Sequence, residues 1–331
     1  MRRPQVIITD HLTEAGIEQS LLGSMADVRV LANEKKEEVF RLAAEAEVLL
    51  VFHHLRWTAA TLEPLSRCQA LIRCGVGYDN VDVEAAGRLG IVVCNVPDYG
   101  TEEVADHALM LLLALVRRLR PCDEAIRSGR WHASDAAGAP RLRGQTLGLI
   151  GCGRIGMAMA LRGKALGMRV VYYDPGIADG LDKALGIERA DTLEELLPQS
   201  RFLSLHCPLT SQTRHLLNAQ TLALLPHGAY LVNTARGGVV DSEALYAALQ
   251  SGQVAFAGLD VEEFEPQPHQ GLRTHPHVLW TPHTAFYSVE SIAEMRMKAA
   301  HEARRVLLGE PVRNPVNRAW LTRPRATGVL G

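Results

Sequence analysis

The sequence has no surplus of positive charge: 35 lysines and arginines face 37 aspartates and glutamates, a formal charge of −2. A nucleic-acid backbone is neutralised by excess lysine and arginine, so nucleic acid is not expected as a direct partner. Long hydrophobic runs are also missing. The longest, Leu109 to Val116, is bracketed by Asp106, His107, Arg117 and Arg118, and it falls far short of the roughly 20 apolar residues of a membrane helix. No membrane association is expected. The N-terminus passes from two arginines straight into the strand-like VIIT without a signal-peptide core, so the expected location is cytoplasmic. The six cysteines (Cys68, Cys74, Cys94, Cys122, Cys152, Cys207) include no CxxC pair; they read as reduced thiols packed as small hydrophobes, and no metal site is expected. No repeat with a period of 20 to 50 residues is present, which excludes a solenoid.

What the 331 residues do contain is 47% hydrophobic and 22% charged side chains, enough apolar material for a sizeable core and about two domains. Apolar runs at Val6–Thr9, Val28–Leu31, Val48–Phe52, Ala70–Cys74 and Ile91–Asn95 alternate with amphipathic stretches at Leu12–Leu22 and Glu34–Ala44. That alternation predicts βαβ units and a parallel sheet. Thr101 to Arg120 reads as one long helix with Glu102 and Glu103 at its positive end and arginines at its negative end, interrupted by Pro121. Beyond the polar Trp131–Arg143 loop, six further runs (Thr146–Ile150, Arg169–Tyr173, Phe202–His206, Tyr230–Thr234, Ala255–Val261, Val278–Thr281) predict a second doubly wound sheet. A helix over Val289–Leu308 stops at Gly309, and the chain past Asn317 reads as a frayed end.

The hexapeptide GCGRIG (Gly151, Gly153, Gly156) lies between the buried-strand pattern TLGLI and a helical stretch, Ile155–Leu166. There Gly151 permits a tight turn, Gly153 lets backbone approach a pyrophosphate, and Gly156 lets helix pack on strand, with the helix N-terminus facing the phosphates. The next strand, RVVYY, ends at Asp174, and 174 − 156 = 18 is near the spacing of roughly 20 for a carboxylate on the ribose 2′-hydroxyl. That carboxylate repels a 2′-phosphate, and Pro175-Gly176 follow where an arginine or lysine would receive one. NAD is the expected cofactor.

Three later segments place a reactive side chain just past a buried strand: YLVNTARGG carries Arg236, AGLDVEEFEP carries Asp260 and Glu265, and VLWTPHTAFY carries His283. Reducing a 2-oxo acid requires a bidentate holder for a carboxylate, which arginine's planar fork provides, and a proton source near neutral pH, which histidine provides. A neighbouring carboxylate favours imidazolium.

NTARG, Glu265-Pro266 and TPH, in this order and with 265 − 236 = 29, resemble the NAD-dependent D-isomer-specific 2-hydroxyacid dehydrogenases over nearly the whole chain. The resemblance implies that Arg236 binds and polarises the substrate, that His283 is the general acid and base, and that Glu265 orients and protonates it. It also implies cofactor contacts from Arg154, Ile155, His206, Cys207 and Pro208. Thr234, Ala235, Arg236, Asp260 and His283 complete that set, with Asp260 acting mainly behind the site. RCGVGYDNVDVEAAGRLGIVVCNVP, EEVAD, HCPL and MRMKAAHEARR are similar to the C-terminal-binding-protein branch of dehydrogenase-like corepressors. In both groups the RCGVG loop, with Arg73, Val76 and Gly77, faces the substrate carboxylate; Gly75 and Gly77 expose backbone amides as an anion nest. His53 matches a branch histidine near the substrate.

Phe286, followed by Tyr287, stands where that branch has a tryptophan three residues after the histidine, so the substrate pocket keeps an aromatic wall but loses an indole N–H, and Gly100 stands where many family members have asparagine; substrate preference therefore does not transfer. The resemblance further implies a flavodoxin-like substrate domain of residues 1–98 plus 287–331, a Rossmann NAD-binding domain of 99–286, and an active-site cleft between them. A homodimer through the Leu109–Val116 helix is expected. Little chain follows the terminal helix, so no appended regulatory domain is expected. The leading expectation is interconversion of a 2-oxo acid and a D-2-hydroxy acid by hydride transfer. The rival is an NAD-sensing, protein-binding scaffold, which needs an exposed peptide groove and long tails.

Overall fold

Strand follows strand in parallel throughout the computed structural model, which describes residues 2–31 and 33–328. Its contacts divide the chain into one unit of residues 1–100 and 288–331 and another of 101–287.

The first unit carries β1 (Gln5–Ile8), β2 (Asp27–Val30), β3 (Val48–Val51), β4 (Ala70–Arg73) and β5 (Val92–Asn95), in the order β2-β1-β3-β4-β5. The runs VLLV, ALIR and VVCN are buried at every residue, whereas β2, at the edge, is buried at none. For β3 and β4 this follows from covering the inner strands of a parallel sheet on both faces; β5, at the opposite edge, is closed by the end of the chain, where Val93 bonds to Asn317 and Cys94 bridges to Pro315. One face packs Ile7, Leu49, Leu71 and Val93 under Val39 and Leu42. The Val289–Leu308 helix lies across β3 and β4 and against the Gly16–Leu22 helix, where Arg296 pairs with the buried Glu18 at 2.7 Å. Ser288 caps that helix, and Gly309, at φ 68°, ends it.

The end of the chain departs from the sequence reading. Asn317 is fully buried: its Oδ1 accepts the Val93 N–H at 2.9 Å and its Nδ2 donates to Ile91 O at 2.9 Å. Arg325 donates to the Leu65 and Cys68 carbonyls, and Ala326 is buried. The tail is polar because it satisfies backbone groups at the sheet edge, so residues 318–328 are docked rather than frayed. Residues 329–331 lie outside the described residues.

The second unit carries β6 (Thr146–Ile150), β7 (Arg169–Tyr173), β8 (Glu188–Arg189), β9 (Phe202–Leu205), β10 (Ala229–Asn233), β11 (Val254–Leu259) and β12 (Val278–Trp280), in the order β12-β11-β10-β9-β6-β7-β8. Read from β8, this is the doubly wound dinucleotide-binding order with a seventh strand added at the far edge. Each face has its own core, one including Leu203, Leu231 and Leu245, the other Leu111, Leu149 and Tyr172. β8 escapes the sequence reading because a two-residue, charged strand carries no apolar run.

The long helix is shorter than expected. It ends at Val116, Arg118 adopts a left-handed φ of 57°, and a second helix runs over Leu119–Arg127. Pro121 sits in the first turn of that second helix, where a missing N–H costs nothing. Arg120 belongs to it too and pairs with Glu124. Five cysteines are buried and Cys122 is half-buried; all are free thiols. Among the described residues, no helix is long and apolar enough to cross a membrane, and no His, Cys, Asp or Glu group is arranged to hold a metal ion.

Candidate active site

The switch point of the second sheet lies between β6 and β9, and ligands of open α/β sheets bind outside the strand ends at such points. GCGRIG leaves β6 there and opens the Arg154–Ala165 helix. Gly151 has φ 88°, and a Cβ on it would lie 2.6 Å from the Cys207 nitrogen. A Cβ on Gly156 would lie 2.2 Å from the Gly151 carbonyl oxygen, whereas one on Gly153 would meet nothing within 4 Å. Two glycines are thus packed and the middle one faces open space, the shape a pyrophosphate needs. Arg154 is exposed in the first turn, and the Ile155 side chain packs on the core.

Asp174 leaves β7 beside this turn. Its Oδ2 accepts the Cys152 N–H at 2.8 Å and its Oδ1 the Gly176 N–H at 2.9 Å, which fixes the carboxylate while leaving acceptor capacity on both oxygens. His206, past β9, shares Nε2 with Ser204 Oγ at 2.9 Å, and burial lowers its pKa to about 4, so the ring is neutral. Its Nδ1 and the Thr234 Oγ1 are buried with no hydrogen-bond partner among the described residues. Buried polar atoms left unpaired are costly, and two of them at neighbouring strand exits fit a bound polar ligand. Cys207 is buried and Pro208 exposed in the same turn.

Arg236, Glu265 and His283 follow β10, β11 and β12, three adjacent strands. Asn233 shapes the first loop: its Oδ1 accepts the Ala235 N–H at 3.0 Å and its Nδ2 donates to Arg236 O at 2.9 Å. Gly237 then presses that loop on the next, since a Cβ there would lie 1.9 Å from the Glu262 carbonyl carbon. The Glu262 N–H donates to Glu265 Oε1 at 2.9 Å, and Glu265 Oε2 meets His283 Nδ1 at 2.8 Å. Burial pushes the Glu265 carboxyl up, but the His283 hydrogen bond and charge, the Glu262 amide and the Arg236 charge together hold it below the usual carboxylate value.

The third loop is clamped by Asp260, which is 2% exposed. Its carboxylate accepts from Thr281 Oγ1 at 2.6 Å and from the Thr284 and Ala285 N–H groups at 2.9 Å each. His283 sits at the apex with φ 56°, its N–H donating to Asp260 O at 2.8 Å. A non-glycine residue held there costs about 1–3 kcal/mol and marks a conformation imposed by its surroundings. Asp260, expected among the cofactor contacts, spends its carboxylate on this loop. The Phe286 ring stands edge-on to His283, centroids 6.3 Å apart.

Residues 109–285 match the family model described as D-isomer specific 2-hydroxyacid dehydrogenase, NAD binding domain. The chain belongs to this family. It is 37% identical over 313 residues, 95% of its length, to a D-3-phosphoglycerate dehydrogenase of Methanocaldococcus jannaschii, and 35% identical over 93% of its length to C-terminal-binding protein 1 of Caenorhabditis elegans. It spans only 59% and 44% of those two curated relatives. Among solved structures, the D-lactate dehydrogenase of Aquifex aeolicus complexed with NAD and lactic acid superposes with a TM-score of 0.84 at 30% identity, covering 92% of this chain and 96% of that one.

The remaining candidates belong to the first unit. Arg73, 7% exposed, ends β4 and donates to Cys74 O. The Gly75 carbonyl accepts from Val96 N–H at 3.0 Å and the Val76 carbonyl from Asn95 Nδ2 at 2.7 Å. In a trans peptide the N–H opposes the C=O, so these bonds turn the Val76 and Gly77 amides the other way, as an anion nest requires. His53 follows β3. Reasoning from sequence missed His107, whose Nε2 lies 2.8 Å from Thr281 Oγ1 and 3.6 Å from Asp260; a histidine set into an otherwise apolar helix was the available signal. It also missed Glu262, a buried carboxylate taking the Ser242 hydroxyl and the Phe264 N–H at 2.6 Å each.

Proposed function

We propose that the protein interconverts 2-oxo acids and D-2-hydroxy acids with NAD(H). The observation that carries the reading is the convergence of an arginine, a carboxylate and a histidine at three adjacent strand exits of an NAD-binding domain. Bound NADH supplies the hydride. Arg236 grips the carboxylate and carbonyl oxygen of the oxo acid, polarising the carbonyl. His283, protonated and steadied through Nδ1 by Glu265, passes a proton to the oxygen as the alcohol forms; in the reverse direction the neutral ring removes it. Glu265 stays ionised to a lower pH than an ordinary glutamate, which keeps the counter-charge in place across the working range. Within the first unit, Arg73 and the Val76 and Gly77 amides form a group suited to a carboxylate, with His53 following the neighbouring strand β3; within the second, Phe286 stands edge-on to His283.

Asp174 favours NAD over NADP, because a fixed carboxylate accepts from a ribose hydroxyl and repels a phosphate. Met110, Leu119, Ile126 and Trp131, all exposed on and after two consecutive helices, supply the apolar surface for a second copy of the chain. The free cysteines, five of the six buried, suit a reducing, cytoplasmic location.

The test follows NADH absorbance with glyoxylate, pyruvate, hydroxypyruvate, phenylpyruvate and 4-methylthio-2-oxobutyrate. At least one acid is expected to turn over with kcat/KM well above that for NADPH, and Arg236→Lys is expected to cost roughly 10²-fold. Tight NADH binding with no turnover of any acid favours the NAD-sensing scaffold.

A further inference from the structure

His107 stands in the apolar Thr101–Val116 helix, with Val104 and Leu111 buried about one turn to either side. A core-facing stripe is ordinarily apolar throughout. The imidazole instead leaves the helix toward the loop that carries His283. Its Nε2 lies 2.8 Å from Thr281 Oγ1 and 3.6 Å from the Asp260 carboxylate, whose side chain is 1% exposed.

The donors give these bonds a direction. Asp260 accepts the Thr284 N–H on Oδ1 and the Ala285 N–H on Oδ2, so both oxygens are acceptors, and a carboxylate has no proton to return. Thr281 Oγ1, 2.6 Å from Oδ1, therefore spends its one hydrogen on Asp260. Toward His107 the same hydroxyl can only accept, so His107 Nε2 carries a proton. The outcome is a one-way chain, His107 to Thr281 to Asp260, in which each bond polarises the next.

Asp260 is also what holds the His283 loop. Besides the Thr284 and Ala285 amides, its backbone oxygen takes the His283 N–H at 2.8 Å. The loop leaves β12, an edge strand paired to β11 alone, so the sheet gives it little support. His283 at φ 56° keeps a backbone conformation that a non-glycine residue holds only when its neighbours impose it. We infer that His107 is a positioning residue for His283: by donating to Thr281 it fixes the hydroxyl on Asp260, and with it the backbone that sets the His283 ring against Glu265. It acts through Thr281 and Asp260 and not on the reacting atoms. The inference rests on the proposed dehydrogenase activity and adds a residue on which the rate depends.

The experiment uses the full chain and four variants. His107→Phe keeps a ring and removes the donor, His107→Gln keeps an N–H at about the reach of Nε2, Thr281→Val removes the hydroxyl and keeps the shape, and the fourth combines His107→Phe with Thr281→Val. Single-turnover oxidation of NADH by the best oxo acid is read per bound NADH, so unfolded protein does not count. His107→Phe and Thr281→Val are each expected to slow this step about tenfold, the worth of one hydrogen bond. The KM of the oxo acid and the affinity for NADH are expected to stay within about twofold, because Arg236 and the glycine turn lie on other loops. His107→Gln is expected to recover the rate to within about threefold, and the double variant to be no slower than Thr281→Val, since both changes break one chain. If His107→Phe does not fold, His107→Asn, whose amide is too short to reach Thr281, takes its place. A wild-type rate per site without the His107 donor, or full additivity in the double variant, overturns the inference. If no oxo acid is reduced, the activity reading fails instead, and His107 is judged by nitrogen NMR of the histidine rings at pH 8 and by amide exchange. A proton on Nε2, with the His283, Thr284 and Ala285 amides exchanging about tenfold faster in His107→Phe and slowing again in His107→Gln, supports the positioning role; a proton on Nδ1 alone, or unmoved exchange, rejects it.

Discussion

The Glu265–His283 contact of 2.8 Å sets a direction that a pH profile reads. Glu265 has a folded value below the ordinary one, so the pair's contribution is present at neutral pH and disappears as pH falls through that lowered value. Glu265→Gln keeps a hydrogen-bonding side chain and removes the charge that stabilises imidazolium. The falling limb of kcat/KM for oxo-acid reduction is therefore expected to move down by about one pH unit. His283→Ala is expected to cost at least roughly 10²-fold in turnover with NADH fluorescence binding preserved, because the Gly151–Gly156 turn and Asp174 lie outside the pair. A limb that stays in place in Glu265→Gln, or near-normal turnover in His283→Ala, rejects the assignment.

Elements decide where those side chains stand. The Arg236 loop and the Glu262–Glu265 loop meet because Gly237 has no side chain, and a Cβ there would strike backbone, which has no rotamer to yield. Gly237→Ala is expected to destabilise by about 1–3 kcal/mol, a Tm drop of roughly 2–4 °C per kcal/mol. It is also expected to lower kcat/KM by pulling Arg236 from Glu265. Matching wild-type values for both quantities would show that the loops tolerate separation. The break at Arg118 is a boundary that the sequence marks a few residues away from where it falls: Pro121 signals an interruption, but the chain turns at Arg118, φ 57°, and Pro121 joins the first turn of the Leu119–Arg127 helix.

For the whole molecule, the two units differ in how the chain builds them. Residues 101–287 are continuous and carry a core on each sheet face. The other unit is assembled from both ends of the chain, and its β3 and β4 are covered by the Val289–Leu308 helix. A fragment of residues 101–287 is accordingly expected to melt cooperatively and to bind NADH within about tenfold of the full chain. Residues 1–100 alone are expected to aggregate, with one sheet face bare. Circular dichroism and NADH fluorescence check both; an unfolded 101–287 fragment would mean that its cores depend on the rest of the chain.

Local chemistry determined a good deal directly from the sequence. Eleven of the twelve strands among the described residues lie within or across apolar runs, most of them because strands covered on both faces must be apolar throughout. The glycine turn, the Ser288 cap and the Gly309 stop declare themselves because their backbone conformations admit few residues. NTARG, Glu265-Pro266 and TPH were legible as a set because each follows a strand whose end is visible. Other features depend on which distant segments meet. Asn317 and Arg325 read as tail until the sheet edge supplies their partners, Glu262 is one glutamate among several until Ser242 and Gly237 close on it, and His107 belongs to an apolar helix until Thr281 arrives. The histidines beyond β1 and β3 are the clearest instance. Sequence separates His11 from His53 and His54, and only the strand order β2-β1-β3, set by how the sheet buries its faces, makes them neighbours.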